Sequence, residues 1–173
     1  MTELDLKRYI ADVPDFPQEG ILFRDITPLL ADPAALGTAL AELETRARKT
    51  RPDVIAGIES RGFLFGMPLA ERLGTGFVPI RKPGKLPRET LRESYSLEYG
   101  ENTIEMHADA VREGQRVLVV DDLLATGGTA AAAASLVRRA GGEVAGWLFL
   151  VELAALGGRA RLDGAPVHSV LVY

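Results

Sequence analysis

Apolar and polar positions follow two rhythms along this chain. Mostly apolar runs of strand length recur at Val54–Ile58, Phe77–Ile80, Val117–Val120, Val144–Val151 and Val167–Val172, the last interrupted by His168 and Ser169. Such runs suit strands that are buried on both faces. Between them the spacing becomes helical. Leu36, Leu40, Leu43 and Ala47 recur at intervals of four, three and four, which gives one apolar helix face. Asp32 suits the N-cap of that helix, Pro33 its first position, and Arg46, Arg48 and Lys49 its C-terminal end. Phe63–Leu73 reads as a second helix with Pro68 as a defect. Ala130–Ala140 reads as a third by propensity, ended by Gly141-Gly142. Strands alternating with helices predict an α/β fold with a central, mainly parallel twisted sheet flanked by helices.

Other segments fit this frame less directly. Leu4–Val13 reads as a first helix. Pro14–Pro33 holds four prolines and shows no clear period, yet it is rich in apolar residues. The expectation is an ordered N-terminal hood, Met1 to about Leu30, followed by a core over 31–173 within a single domain. Ser94–Glu98 and Thr103–Met106 flank Tyr99-Gly100-Glu101-Asn102 and read as a β-hairpin.

Length and composition then exclude several classes. A chain of 173 residues is one domain with a core large enough to need no staple. There is no cysteine, so disulfides and thiolate metal sites are ruled out, and two separated histidines make no His-rich metal site. His107, His168 and Trp147 read as structural. A net charge of −4 argues against a mainly electrostatic nucleic-acid binder. No apolar stretch approaches the roughly 20 residues that span a membrane, and the N-terminus lacks the apolar region of a secretory signal. The expected location is the cytoplasm, with no nucleic-acid or membrane partner.

The clearest chemical signal is V-L-V-V-D-D-L-L-A-T-G-G-T, Val117–Thr129. A buried strand ends in two carboxylates, and a short loop of small residues opens a helix. Ala125, Thr126, Gly127, Gly128 and Thr129 offer backbone N–H groups, two hydroxyls and the positive helix end, which together cradle a phosphate. No lysine follows the glycines, so this is not a Walker A loop, nor is it a G-x-G-x-x-G turn. Asp121 and Asp122 beside a phosphate would be repulsive unless a neutral group lies between. A ribose diol donates two hydroxyls to carboxylates, and a Mg²⁺ ion would also remove the conflict. Read without a ligand, the pair is a solvated strand end.

Three further segments carry charge. Glu59-Ser60-Arg61-Gly62 follows a strand, where Arg61 and backbone amides hold an anion or Arg61 makes a surface salt bridge. Arg81, Lys82, Lys85 and Arg88 fall within eight residues of an acidic protein, either an anion site or a solvated face. Glu98 is, on its own, a strand carboxylate. Phe23 is either core or a platform for a planar base.

Together these segments resemble the adenine phosphoribosyltransferases of the type I phosphoribosyltransferase family. The agreeing pieces are D-F-P-Q-E-G-I-L-F-R-D-I-T-P-L-L (Asp15–Leu30), E-S-R-G-F-L-F-G (Glu59–Gly66), R-K-P-G-K-L-P (Arg81–Pro87), S-Y-S-L-E-Y-G (Ser94–Gly100) and the Val117–Thr129 segment. The last marks the superfamily; F-R-D-I-T-P and L-E-Y-G narrow it to the adenine-using members. The resemblance implies transfer of the 5-phosphoribosyl group of phosphoribosyl pyrophosphate (PRPP) to adenine, giving AMP and pyrophosphate in purine salvage. It places Asp121 and Asp122 on the ribose hydroxyls and residues 125–129 on the 5′-phosphate. Ser60, Arg61, Arg81, Lys82 and Lys85 fall on pyrophosphate. Leu22, Phe23 and Arg24 fall on adenine, and Tyr99 near the ribose or base. Glu98, Arg61 and Lys82 form the catalytic set, with Glu98 as acid/base. The implied cofactor is Mg²⁺, held mainly through PRPP, with Asp121 and Asp122 as candidates to touch it directly or through water. The Glu59–Gly62 loop is expected to contain a cis non-proline peptide. Residues 81–106 are expected to form a flexible lid, and the assembly to be a homodimer. Where some relatives carry another basic residue this chain has Pro83, leaving one fewer charge for pyrophosphate. Two alternatives stay open: a different purine base, or a PRPP-sensing regulator without catalysis. The acidic net charge and intact L-E-Y-G segment count against the regulator.

Overall fold

The computed structural model describes residues 5–96 and 100–173. The chain divides into two compact units, one up to Glu42 and one from Leu43 onward.

In the first unit, the expected helix over Leu4–Val13 is cut short. Asp5 caps a single 3-10 turn, Leu6–Tyr9, by accepting from the Lys7 N–H at 3.1 Å. The chain then extends into β1 (Ala11–Pro14), which pairs antiparallel with β2 (Leu22–Asp25). Pro14 explains the change, since the residue before a proline is pushed out of helical geometry. Pro14–Pro33 is correspondingly less irregular than its sequence implies. Besides β2 it contains α1 (Thr27–Ala31), with Pro28 in its first turn. Asp25 sets the turn into α1, taking the Thr27 N–H at 2.9 Å and the Thr27 hydroxyl at 2.7 Å. Asp32 caps α2 (Pro33–Thr50) as its sequence predicts, accepting from the N–H groups of Ala34 and Ala35.

The second unit is built on a parallel sheet. Its strands are β3 (Val54–Ile58), β4 (Gly76–Ile80), β7 (Arg116–Leu124), β8 (Glu143–Glu152) and β9 (Val167–Val172), in the order β4-β3-β7-β8-β9. Every pairing among them is parallel. Between β4 and β7 the chain forms the hairpin β5 (Thr90–Ser96) and β6 (Glu101–His107), running from Thr90↔His107 to Ser96↔Glu101. Helix α3 (Gly62–Leu73) follows β3, and α4 (Gly128–Arg139) follows β7.

Alternation along each strand sends every second residue to one face. Val54, Ala56 and Ile58, Val117 and Val119, and Trp147 and Phe149 meet Ala133, Leu136 and Val137 of α4 in one buried cluster. At about 25 cal/mol per Å² of apolar surface removed from water, such a cluster is the main source of stability.

The strand order locates the site. From β3 the chain moves outward to β4; from β7 it moves the other way, through β8 to β9. The order reverses between β3 and β7, and at such a reversal the loops leaving the carboxyl ends of the two strands diverge and open a crevice. Among the described residues, no helix is long and apolar enough to cross a membrane.

Candidate active site

The first wall of the crevice is the end of β7. The strand runs four residues past its predicted apolar stretch, because β8 stays paired alongside it to Leu124↔Glu152. Asp121 and Asp122 are therefore fixed on a strand rather than left in a loop. Asp122 is buried, at 5% exposure. Burial, and next the neighbouring Asp122 carboxylate, push the Asp121 carboxyl well above the usual carboxylate range, against a smaller pull from Arg61.

Residues 125–129 continue into α4. Gly127 has φ +82°, and a Cβ there would run into the carbonyl oxygen of Gly158. Only glycine meets both demands at low cost. A cavity of about 210 Å³ is lined by Arg61, Asp121, Asp122 and all five loop residues. The backbone N–H groups at the start of α4 serve that space.

The second wall is the loop after β3. Its Glu59–Ser60 peptide is cis, as the resemblance leads one to expect. Gly62 lets this loop lie against β7, since a Cβ on it would fall 2.8 Å from the Val120 carbonyl oxygen and 3.0 Å from Asp121 Oδ1. Arg61 then reaches Asp122, its Nε standing 2.7 Å from Oδ2. A second cavity, about 350 Å³, is shared by Glu59, Ser60, Arg61, Lys82, Asp121, Asp122 and Thr129.

The basic loop is held in place by carboxylates. Arg81 Nε lies 3.2 Å from Glu59 Oε2, Lys85 Nζ pairs with Glu59 Oε1, and the Lys82 N–H donates to Oε2 at 2.9 Å. Burial raises the Glu59 carboxyl, but Lys85, the Lys82 N–H and Arg81 together outweigh it and hold the group below its ordinary value. Arg81 also exchanges two backbone hydrogen bonds with Glu105 of β6, at 2.9 and 2.7 Å. Glu105, 1% exposed, pairs with Arg92 Nε at 2.6 Å and takes the Gly84 N–H at 3.2 Å. Arg88 turns instead to Asp109 and His107.

The structure thus brings Ser60, Arg61, Lys82, Asp121, Asp122 and residues 125–129 around two cavities, with Arg81 and Lys85 anchored to Glu59. Glu98 and Tyr99 lie outside the described residues. Leu22, Phe23 and Arg24 belong to the first unit, on β2. There the Phe23 ring meets Phe16 edge-on at 5.1 Å between centroids, and Arg24 pairs with Asp12.

Nearly the whole chain has counterparts of known kind. The phosphoribosyl transferase domain model matches residues 29–167. The chain belongs to the phosphoribosyl transferase domain family. It is 53% identical, over all of both chains, to an adenine phosphoribosyltransferase of Desulfitobacterium hafniense. The crystal structure of adenine phosphoribosyltransferase from Thermoanaerobacter pseudethanolicus superposes with a TM-score of 0.94 at 54% identity, covering 97% of this chain and 98% of that one. The Saccharomyces cerevisiae enzyme, complexed with an iminoaltritol 1,6-bisphosphate and adenine, gives 0.91 at 41% identity, with 95% and 96% covered.

Two residues that line the cavity of about 350 Å³ were given no role by the sequence reading. Glu59 was visible as an acid at a strand end, near a loop with four cations, and that charge complementarity was its signal. Tyr95 gave only the inward phase of β5, which it shares with Leu91 and Glu93. Its hydroxyl accepts from Thr129 Oγ1 at 3.0 Å.

Proposed function

We infer that this chain is a purine salvage pentosyltransferase that joins adenine to the 5-phosphoribosyl group of PRPP, releasing pyrophosphate and forming AMP. The observation that carries the reading is the pair of loops that meet at the sheet reversal, in a chain that matches adenine phosphoribosyltransferases from end to end.

The residue roles are those that the family resemblance implies, and the chemistry of the crevice supports those that line it. Residues 125–129 hold the 5′-phosphate on backbone N–H groups, where the helix end favours an anion. Asp121 and Asp122 accept from the ribose hydroxyls. Ser60, Arg61, Arg81, Lys82 and Lys85 receive pyrophosphate. Among the described residues, Lys82 makes no ion pair, whereas Arg81 and Lys85 rest on Glu59 and Arg61 on Asp122. Substrate anions therefore exchange with the carboxylates that hold Arg61, Arg81 and Lys85. By the family resemblance Leu22, Phe23 and Arg24 contact adenine, and the basic loop with the described part of the hairpin serves as a lid that excludes water from the reacting centre.

The reaction breaks the bond between the anomeric carbon and the pyrophosphate oxygen. Pyrophosphate leaves with the electron pair. Adenine N9 forms the new bond from the opposite face, and Glu98 takes up the N9 proton. Positive charge builds at the ribose carbon as pyrophosphate departs. Most of the catalytic effect is positioning and charge stabilisation.

The donor set fits Mg²⁺ bound through substrate. No group of three metal-ligating side chains occurs among the described residues, and Asp122 is engaged by Arg61. Mg²⁺ commonly takes one or two carboxylates plus phosphate oxygens, so Asp121 is the side chain best placed to touch it. When bound, the ion supplies neutralisation of the leaving group. The enzyme acts in the cytoplasm as a homodimer.

Purified protein with PRPP and Mg²⁺, offered adenine, hypoxanthine, guanine and xanthine separately, tests the reading through pyrophosphate release. Release with adenine alone is expected. Release with a 6-oxopurine would overturn the base assignment, and PRPP binding without any release would indicate a regulator. Sedimentation of the same sample tests the dimer.

A further inference from the structure

Tyr95 stands apart from the residues that the reaction requires, yet it sits where three parts of the fold meet. It lies on β5 of the hairpin and packs against the buried cluster that carries α4. Its ring covers Gly128, where a Cβ would come within 3.3 Å of the ring edge. Its hydroxyl holds Thr129 at 3.0 Å. It also lines the cavity of about 350 Å³, with Glu59, Lys82 and Thr129. A residue needed only for packing would not require the hydroxyl.

We propose that Tyr95 is a positioning residue that orients the Thr129 hydroxyl toward the 5′-phosphate and ties the hairpin to the phosphate cradle. The proposal rests on the phosphoribosyl-transfer reading and deepens it.

The argument is one of donors and acceptors. Each hydroxyl has one proton and two lone pairs. Without ligand, Thr129 donates to Tyr95. A phosphate dianion is an acceptor only, so Thr129 must turn its proton toward it. Tyr95 then donates to the freed Thr129 oxygen. The two oxygens need not move; only the protons reverse. The resulting chain, Tyr95 O–H to Thr129 O–H to phosphate, is charge-assisted and each bond polarises the next. Phosphate binding thereby strengthens the tie between the cradle and β5, the strand that leads into the segment bearing Glu98.

Titration calorimetry with ribose 5-phosphate and with pyrophosphate, on wild type and Tyr95→Phe, tests this. The expected result is a five- to twentyfold loss of ribose 5-phosphate affinity in Tyr95→Phe, with pyrophosphate affinity within twofold of wild type. In a Thr129→Val background, Tyr95→Phe should weaken ribose 5-phosphate no further. Equal affinities for wild type and Tyr95→Phe would overturn the proposal and leave the cradle reading intact. Equal losses for both ligands, or additive losses in the double variant, would also overturn it, since they would mark general disturbance. If wild type itself fails to bind ribose 5-phosphate, the cradle reading falls and the proposal with it.

Discussion

Arg61 and Asp122 join the two walls of the crevice, with Nε of the one 2.7 Å from Oδ2 of the other. The aspartate side chain is 6% exposed and the arginine 40%, so the pair is only partly screened. Arg61→Ala leaves a buried carboxylate without its cation, at a cost of about 2 kcal/mol. Adding Asp122→Asn removes that charge. The double variant should therefore regain most of the lost melting temperature while turnover stays low, because the anion and ribose contacts are still missing. A double variant as unstable as Arg61→Ala would show that the pair is structurally idle.

Asp121 gives a pH signature of definite sign. Its folded-state carboxyl binds protons more tightly than the unfolded one, for which the ordinary value is about 3.9. Stability is fully present below that value and is lost as pH rises toward the raised folded value. Asp121→Asn abolishes the loss. Urea midpoints should separate in favour of the variant as pH climbs from about 4. Glu59 and Glu152, both held low, act oppositely, with stability present above the ordinary glutamate range and lost as pH falls. Parallel midpoint curves for wild type and Asp121→Asn would refute the assignment.

On the proposed function, Glu59 competes with pyrophosphate for Arg81 and Lys85. Glu59→Gln keeps the shape and still accepts the Lys82 N–H, but it removes the charge. Pyrophosphate should bind about three- to tenfold tighter, a range of roughly 0.7–1.4 kcal/mol, and product release should slow. Weaker binding would mean that Glu59 is needed chiefly to place the loop.

Gly127 tolerates no side chain. In Gly127→Ala the positive φ costs about 1–2 kcal/mol, and the methyl group meets the Gly158 carbonyl. PRPP affinity should fall by at least tenfold with adenine binding unaffected. Gly127→Val should abolish PRPP binding. Retained affinity in either would move the phosphate elsewhere.

Glu98→Ala should cut turnover at least a hundredfold, within the usual range for a lost general acid or base, while PRPP binding changes little. An unchanged rate would remove Glu98 from proton transfer.

Much of this was legible in the residues because apolar runs and caps act locally. Val54–Ile58 and Val167–Val172 match their strands residue for residue, and Asp32-Pro33 opens α2 as its capping chemistry dictates. The end of β7 was not legible, since only pairing with β8 carries the strand through Asp121 and Asp122. The Leu4–Val13 helix failed for a similar reason: a partner strand and Pro14 overrode local periodicity. At the site, the sequence marked residues 125–129 and both cationic segments, which the structure brings to the crevice. The ion pairs of Glu59 and Arg61 were not, because they join loops separated in sequence and depend on which strands are neighbours.

The reversal of strand order also acts as a ruler. The two anion loops leave adjacent strands whose axes are roughly 4.8 Å apart, and the diverging loops fix the separation of their charges. A sugar phosphorylated at one end satisfies a single loop and leaves the other on its internal carboxylate. A sugar carrying anions at both ends satisfies both loops and also displaces the carboxylates that hold Arg61, Arg81 and Lys85. On the proposed function, selection in this crevice is therefore by span, set by backbone topology before any side chain is chosen.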